Sequence, residues 1–182
     1  MGWHAAPEHL SCHACPLAYS RTQVVPGHGN RTAHIVIVGE APGAVEDRVG
    51  EPFVGKAGVK LNQLLERAGL DRSALFLDNV VHCRPPQNNI RAQPQALTIC
   101  PELWLKPTLE EIKPCVVVAM GATAGSLWFP GKEVHDIADL QRVLKNGIMV
   151  IGSYHPSYAL REGAKVEESI VSSLIRAREL AQ

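Results

Sequence analysis

Four cysteines tie the start of this chain to its middle. Cys12 and Cys15 form a C-x-x-C pair, and Cys83 and Cys100 follow far downstream. Cys15 and Cys100 are each followed directly by proline, a pairing also seen in bacterial ferredoxin cluster runs. Four thiolates without a matching histidine pattern suit a tetrahedral zinc site or an iron–sulfur cluster. The gap from Cys15 to Cys83 is too long for a zinc finger or ribbon, whose ligands sit in local hairpins. A group held by these four residues would instead staple the N-terminal segment onto a folded domain. The plain alternative is a set of unrelated buried thiols. Cys115 fits that alternative: it opens the apolar run Cys115-Val116-Val117-Val118-Ala119-Met120, so it is expected to be buried and outside any metal site.

Five cysteines, with neither a basic start nor an apolar core in residues 1–10, argue for a reducing compartment and against a disulfide framework. The cytoplasm is the expected location. No apolar run reaches the ~18 residues of a membrane span. With 182 residues, 46% hydrophobic and 20% charged, one soluble domain with a substantial core is expected. The net charge is zero, so composition alone supports no nucleic-acid partner. Any such contact needs a local patch, and the segment 84–91 holds Arg84 and Arg91 without an acidic residue.

Apolar runs alternate with helical patterns. His34 to Val38 is a short continuous run ending in Gly39, as expected of a buried parallel strand. Residues 75–81, 116–120 and 148–151 read as three more. Lys56 to Ala68 places Leu61, Leu64, Leu65 and Ala68 on one helical face, with Gly69 at the position of a C-terminal cap. Gln93 to Ile112 reads as a helix that Pro101 and Pro107 must interrupt or kink, where Cys100 turns toward the metal. A small-residue helix starts at Gly121, and Val166 to Leu180 closes the chain. Strands alternating with helices predict one α/β domain around a parallel sheet.

Ligands of open parallel sheets bind beyond the carboxyl ends of the strands. Three of the four strands run into unusual polar sequence there. The first leads into Gly39-Glu40-Ala41-Pro42-Gly43, then Glu46-Asp47 and Pro52-Phe53-Val54-Gly55-Lys56-Ala57-Gly58. The second ends in Asp78-Asn79-Val80-Val81-His82-Cys83-Arg84-Pro85-Pro86, and the fourth in Gly152-Ser153-Tyr154-His155-Pro156-Ser157. None is a dinucleotide fingerprint or a P-loop.

In this order, and with the four cysteines, these segments resemble the family 4 uracil-DNA glycosylases. The resemblance spans Cys12 to about Arg161. It implies a three-layer α/β/α sandwich with a central four-stranded parallel sheet and a [4Fe–4S] cluster on Cys12, Cys15, Cys83 and Cys100. It also implies hydrolytic excision of uracil from double- or single-stranded DNA by a monomer. Where the family often has lysine this chain has His82, read as a solvent-facing substitution. One branch of relatives traps DNA through a histidine in a Lys-Arg-Arg-Ile-His loop. The stretch here is Gln87-Asn88-Asn89-Ile90-Arg91, so ordinary turnover is expected.

Within that resemblance each residue has a chemical task. Phe53 offers a stacking face for a flipped base; the plain alternative is an ordinary core phenylalanine, for which a loop between Pro52 and Gly55 is an odd place. The Asn79 amide can donate to uracil O4 and accept from N3–H, polarities that cytosine reverses. His155, before Pro156, can donate to O2 as the departing base becomes anionic. Glu40 is the carboxylate to orient water or offset the cationic sugar. Gly39 and Gly43 allow close approach of the main chain to base or phosphate. Asp47 is a secondary candidate for the uracil pocket; Glu46 and Asp47 also fit solvated loop charges. Arg84, Ser157, Leu160 and Arg161 are expected to meet DNA, with Leu160 or Arg161 filling the vacated space. A redox protein built on the cluster and a non-catalytic uracil-DNA binder are the competing readings. The first leaves Glu40, Phe53, Asn79 and His155 without a task; the second needs neither Glu40 nor His155.

Overall fold

The computed structural model describes residues 7–182. Strand β1 is the short pair His28–Gly29. The apolar runs then form β2 (Ile35–Gly39), β3 (Phe76–Asn79), β4 (Val116–Met120) and, after β5 (Gln141–Val143), β6 (Met149–Ser153). They lie in one sheet in the order β1-β3-β2-β4-β6-β5. The middle four are parallel, as the continuous apolar runs require of strands covered on both faces. Two antiparallel edge strands extend the expected four-stranded sheet. Both are too short for a pattern, and β5 is exposed throughout, so they carry no apolar run to announce them.

Helices α1 (Pro7–Leu10), α2 (Ala44–Val49), α3 (Lys56–Arg67), α4 (Pro94–Cys100), α5 (Lys106–Ile112), α6 (Ala122–Ser126), α7 (Val134–Ile137), α8 (Pro156–Glu162) and α9 (Ala164–Leu180) complete the chain. Because side chains alternate along a strand, β2 sends Ile35 and Ile37 to one core and Val36 and Val38 to the other. The first core includes Leu61, Leu64 and Leu65 of α3 and Ile170 and Leu174 of α9. The second includes Leu105, Leu109 and Ile112 on the opposite side. These are the two outer layers of the expected sandwich.

The interruption expected between Gln93 and Ile112 is a π-helical turn, Pro101–Leu105, joining α4 to α5. Pro101 has no N–H to continue the α-helical ladder, and the Lys106 N–H reaches back to the Pro101 carbonyl. The widened turn starts directly after Cys100. At the end of α3, Gly69 adopts φ +67° and the Leu70 N–H bonds the Leu65 carbonyl at 2.9 Å, a glycine-terminated cap.

Candidate active site

The strand order reverses between β2 and β4, the switch point where open parallel sheets hold their ligands. Parallel register places Gly39 beside Asn79 and Met120 beside Ser153. The chain segments leaving these ends therefore emerge side by side. They bound a cleft of about 800 Å³ whose walls include Glu40, Gly43, Phe53, Asn79, His155 and Arg161, within the range of small-molecule sites. Glu40, Phe53, Asn79 and His155 thus meet where the sheet topology predicts.

Phe53 is held rather than merely present. Its backbone has φ +56°, an uncommon left-handed conformation for a bulky residue. Two glycines make room for it. A Cβ on Gly58 would lie 1.9 Å from the Phe53 carbonyl oxygen, and one on Gly39 would lie 2.5 Å from Phe53 Cζ and 2.6 Å from Asn79 Oδ1. The ring is buried at the cleft wall, its centroid 6.1 Å from that of His155 at an interplanar angle of 27°.

His155 is the N-cap of α8. Its Nδ1 accepts from the Ser157 N–H at 3.2 Å and lies 2.8 Å from Ser157 Oγ. An accepting Nδ1 leaves the proton of the neutral ring on Nε2, which becomes the donor. Burial pushes the imidazole pKa down to about 4, with the Glu46 carboxylate opposing and the Arg161 cation reinforcing the shift. The ring is therefore neutral at pH 7.

Glu40 is half-buried at the end of β2, and its Oε2 accepts from the Thr123 hydroxyl on α6. Glu46, one of the two residues also read as solvated loop charges, is instead buried. It accepts from the main-chain N–H groups of Gly43, Val54 and Gly55 at 3.1, 3.1 and 2.7 Å, binding the Glu40 loop to the Phe53 loop. Its position at N3 of a helix, behind a glycine N-cap, is the signal that sequence reading passed over. Asp47 is also buried but is not part of the cleft wall. Its carboxylate accepts from the Thr22 and Gln23 N–H groups, so it points at the N-terminal segment and not at a base.

Among the DNA-facing candidates, Ser157 and Arg161 line the cleft, as does Arg91. Arg84 instead bonds Asn88 Oδ1 at 2.9 Å. Leu160 is 49% exposed beside the cleft, outside its wall.

Cys12, Cys15, Cys83 and Cys100 line a second, smaller cavity, together with His9, Arg21 and His82. Arg21 donates to Cys83 Sγ and the His82 N–H to Cys100 Sγ, both at 3.4 Å. Burial raises the Cys83 pKa to about 11, with Arg21 working against it, and raises that of Cys100 further. His82 overturns the expectation of a solvent-facing side chain. It is 1% exposed, with Nε2 2.7 Å from Asp78 Oδ1 and Nδ1 2.6 Å from His9 Nε2. His9 in turn stacks on Trp104 at 4.0 Å and 8°. A buried strand carboxylate at Asp78 needs a partner, and the residue four positions on supplies it. Cys115 is corrected too: it is exposed, because it precedes β4 at the amino edge of the sheet.

Fold and cleft together define an α/β protein with its site at the carboxyl ends of a parallel sheet. The family model for the uracil DNA glycosylase superfamily matches residues 26–175, and the chain belongs to that superfamily. A type-4 uracil-DNA glycosylase of Thermotoga maritima is 43% identical over 166 residues, covering 88% of this chain and 83% of that protein. One from Archaeoglobus fulgidus is 39% identical over 162 residues, covering 84% and 80%. A type-5 uracil-DNA glycosylase of Thermus thermophilus is 31% identical over 180 residues, covering 86% and 80%.

Proposed function

We propose that the protein is a DNA-repair uracil glycosylase that hydrolyses the N1–C1′ bond of deoxyuridine in DNA, releasing uracil and leaving an abasic site. The observation that carries this reading is the convergence of Phe53, Asn79, His155 and Glu40 on one cleft. The flipped base stacks on Phe53, which offsets the cost of leaving the helix. The Asn79 amide donates to O4 and accepts from N3–H. Cytosine meets it with both polarities reversed and loses about 1–3 kcal/mol per mismatched buried group. As the N1–C1′ bond breaks, its electron pair stays with uracil, and the neutral His155 donates from Nε2 to the charge developing on O2. Glu40, oriented by Thr123, offsets the cationic sugar and guides the water whose oxygen bonds C1′. That water's proton ends on the departing base. Arg161 and Ser157 meet the DNA backbone.

The four cysteines fit a [4Fe–4S] cluster. Two N–H groups already point at sulfur, as around cluster thiolates, and burial opposes ionisation of Cys83 and Cys100 unless a cation compensates. When bound, the cluster supplies a structural tie, since hydrolysis moves no electrons. We read the protein as a single domain acting as a monomer. Its DNA substrate and reduced thiols suit the cytoplasm.

Single-uracil DNA, treated with the iron-loaded protein and then with alkali, is expected to be cut at the uracil, with matched cytosine and thymine strands intact. Binding of the uracil strand without cutting would favour the non-catalytic reading instead.

A further inference from the structure

Beside the cleft, on the α7–α8 side, stands an aromatic cluster that excision of uracil does not require. Tyr154 and Tyr158 stack with centroids 5.4 Å apart at 28°. His135 meets both rings edge-on, at 6.0 and 6.1 Å, and its Nδ1 lies 3.3 Å from the Tyr154 hydroxyl. The Arg161 guanidinium lies over Tyr158, 5.5 Å from its centroid. Tyr158 and Arg161 are three apart on α8 and share a face. Both also belong to the cleft wall, so the cluster continues the site without a break.

We propose that His135, Tyr154, Tyr158 and Arg161 form a second subsite, which takes the base and phosphate of an unpaired nucleotide next to the excised one. This rests on the uracil-DNA reading above. Three properties suit that occupant. The surface combines ring faces with a cation, the pairing by which proteins hold single strands without reading sequence. Arg161 is exposed, and none of the ion pairs among the described residues includes it, so its N–H groups are available to a phosphate. Turning the guanidinium from the Tyr158 ring to that phosphate opens the ring face to a base. A cation–π contact is then exchanged for a charge-assisted hydrogen bond and a stacked base. In a duplex the neighbouring base stays paired and stacked within the helix, so the subsite acts chiefly on single strands.

The test measures affinity of the iron-loaded protein for oligonucleotides carrying a non-cleavable deoxyuridine analogue, at one fixed salt concentration. The probes are single strands with the neighbouring base present, or replaced by an abasic spacer on the 5′ or the 3′ side, and the matching duplexes. In the wild type, removing the base on one side is expected to weaken single-strand binding about ten-fold or more, and duplex binding much less. Tyr158→Ala and Tyr154→Ala should bind the intact single strand as weakly as the wild type binds the spacer probe, and lose little more on that probe. Tyr154→Phe and Tyr158→Phe keep the ring and should keep the affinity. A wild type indifferent to both neighbours overturns the subsite while leaving the glycosylase reading intact, and this arm needs no variant to fold. Equal losses on spacer and intact probes in the alanine variants, or losses in the phenylalanine variants, also overturn it. A wild type that binds none of the uracil probes overturns both readings.

Discussion

Ring to ring, His155 and Phe53 stand 6.1 Å apart, yet they should fail in opposite ways when removed. A donor aimed at O2 gains little from the neutral base and much from the departing anion, whereas a stacking face acts before the bond breaks. His155→Ala should therefore slow single-turnover excision by about 10²-fold or more, with a much smaller loss of affinity for a non-cleavable analogue. Phe53→Ala should weaken analogue binding first. Equal losses of rate and affinity in His155→Ala would mean that the residue only positions the base. The pH dependence follows from the same ring. With its pKa near 4, His155 stays neutral through the range where a free imidazole, near 6.5, would titrate. The wild-type rate should show no His155 limb around pH 6.5. Stability carries the matching sign: a depressed histidine contributes fully above about pH 6.5, and that contribution is lost as the pH falls toward 4, because the unfolded chain binds the proton first.

Elements bring the same residues together, and two glycines separate what the cleft needs from what the fold needs. A Cβ on Gly39 would strike the far end of the Phe53 ring and the Asn79 amide, whereas one on Gly58 would strike the Phe53 main chain. A ring can swing aside; a backbone cannot. Gly39→Ala should keep the fold and lose analogue binding, by about ten-fold or more. Gly58→Ala should cost about 1–3 kcal/mol of stability through overpacking at the start of α3. Thermal melts beside binding titrations check the pair, and a Gly39→Ala protein that binds normally would remove Phe53 and Asn79 from the reading of the base. These elements differ in how plainly the sequence announces them. The strand runs at 35–38 and 116–120 and the leucine face of α3 are legible because burial on fixed sides imposes a period. Phe53, Asn79 and His155 are legible through their place after strand ends and their family resemblance. Glu46, Asp47 and His82 are not, because whether a charged or polar residue is buried depends on partners that only the folded chain brings near: the Val54 and Gly55 N–H groups for Glu46, the Thr22 and Gln23 N–H groups for Asp47, and Asp78 and His9 for His82. The Phe53 backbone was equally hidden, since nothing in Pro52-Phe53-Val54 calls for φ +56°.

Across the whole molecule the two cavities are joined by chain rather than by electrons. The N-terminal segment that supplies Cys12 and Cys15 continues to Thr22 and Gln23, whose N–H groups bind Asp47. Asp47 neighbours Glu46 on α2, and Glu46 holds the amides of Gly43, Val54 and Gly55 at the cleft. A second tie runs from Asp78, next to Asn79, through His82 to His9. On this geometry, loss of the proposed cluster would reach the chemistry mechanically. The purified protein should be brown and contain iron and acid-labile sulfide. Stripping the metal by chelation should lower the melting temperature, about 2–4 °C per kcal/mol in a chain of this size. It should also release amide hydrogen-exchange protection in the segment up to Gln23 before the central strands open. Asp47→Asn separates the tie from the metal. The amide side chain keeps one acceptor oxygen but lacks the charge that strengthens the bonds to two N–H groups. The variant should therefore retain its iron and visible absorption while excision slows, and the protection of residues 22 and 23 should fall. A protein with wild-type exchange and wild-type rate would show that Asp47 carries no coupling, leaving the cysteine site a local staple with no hold on the cleft.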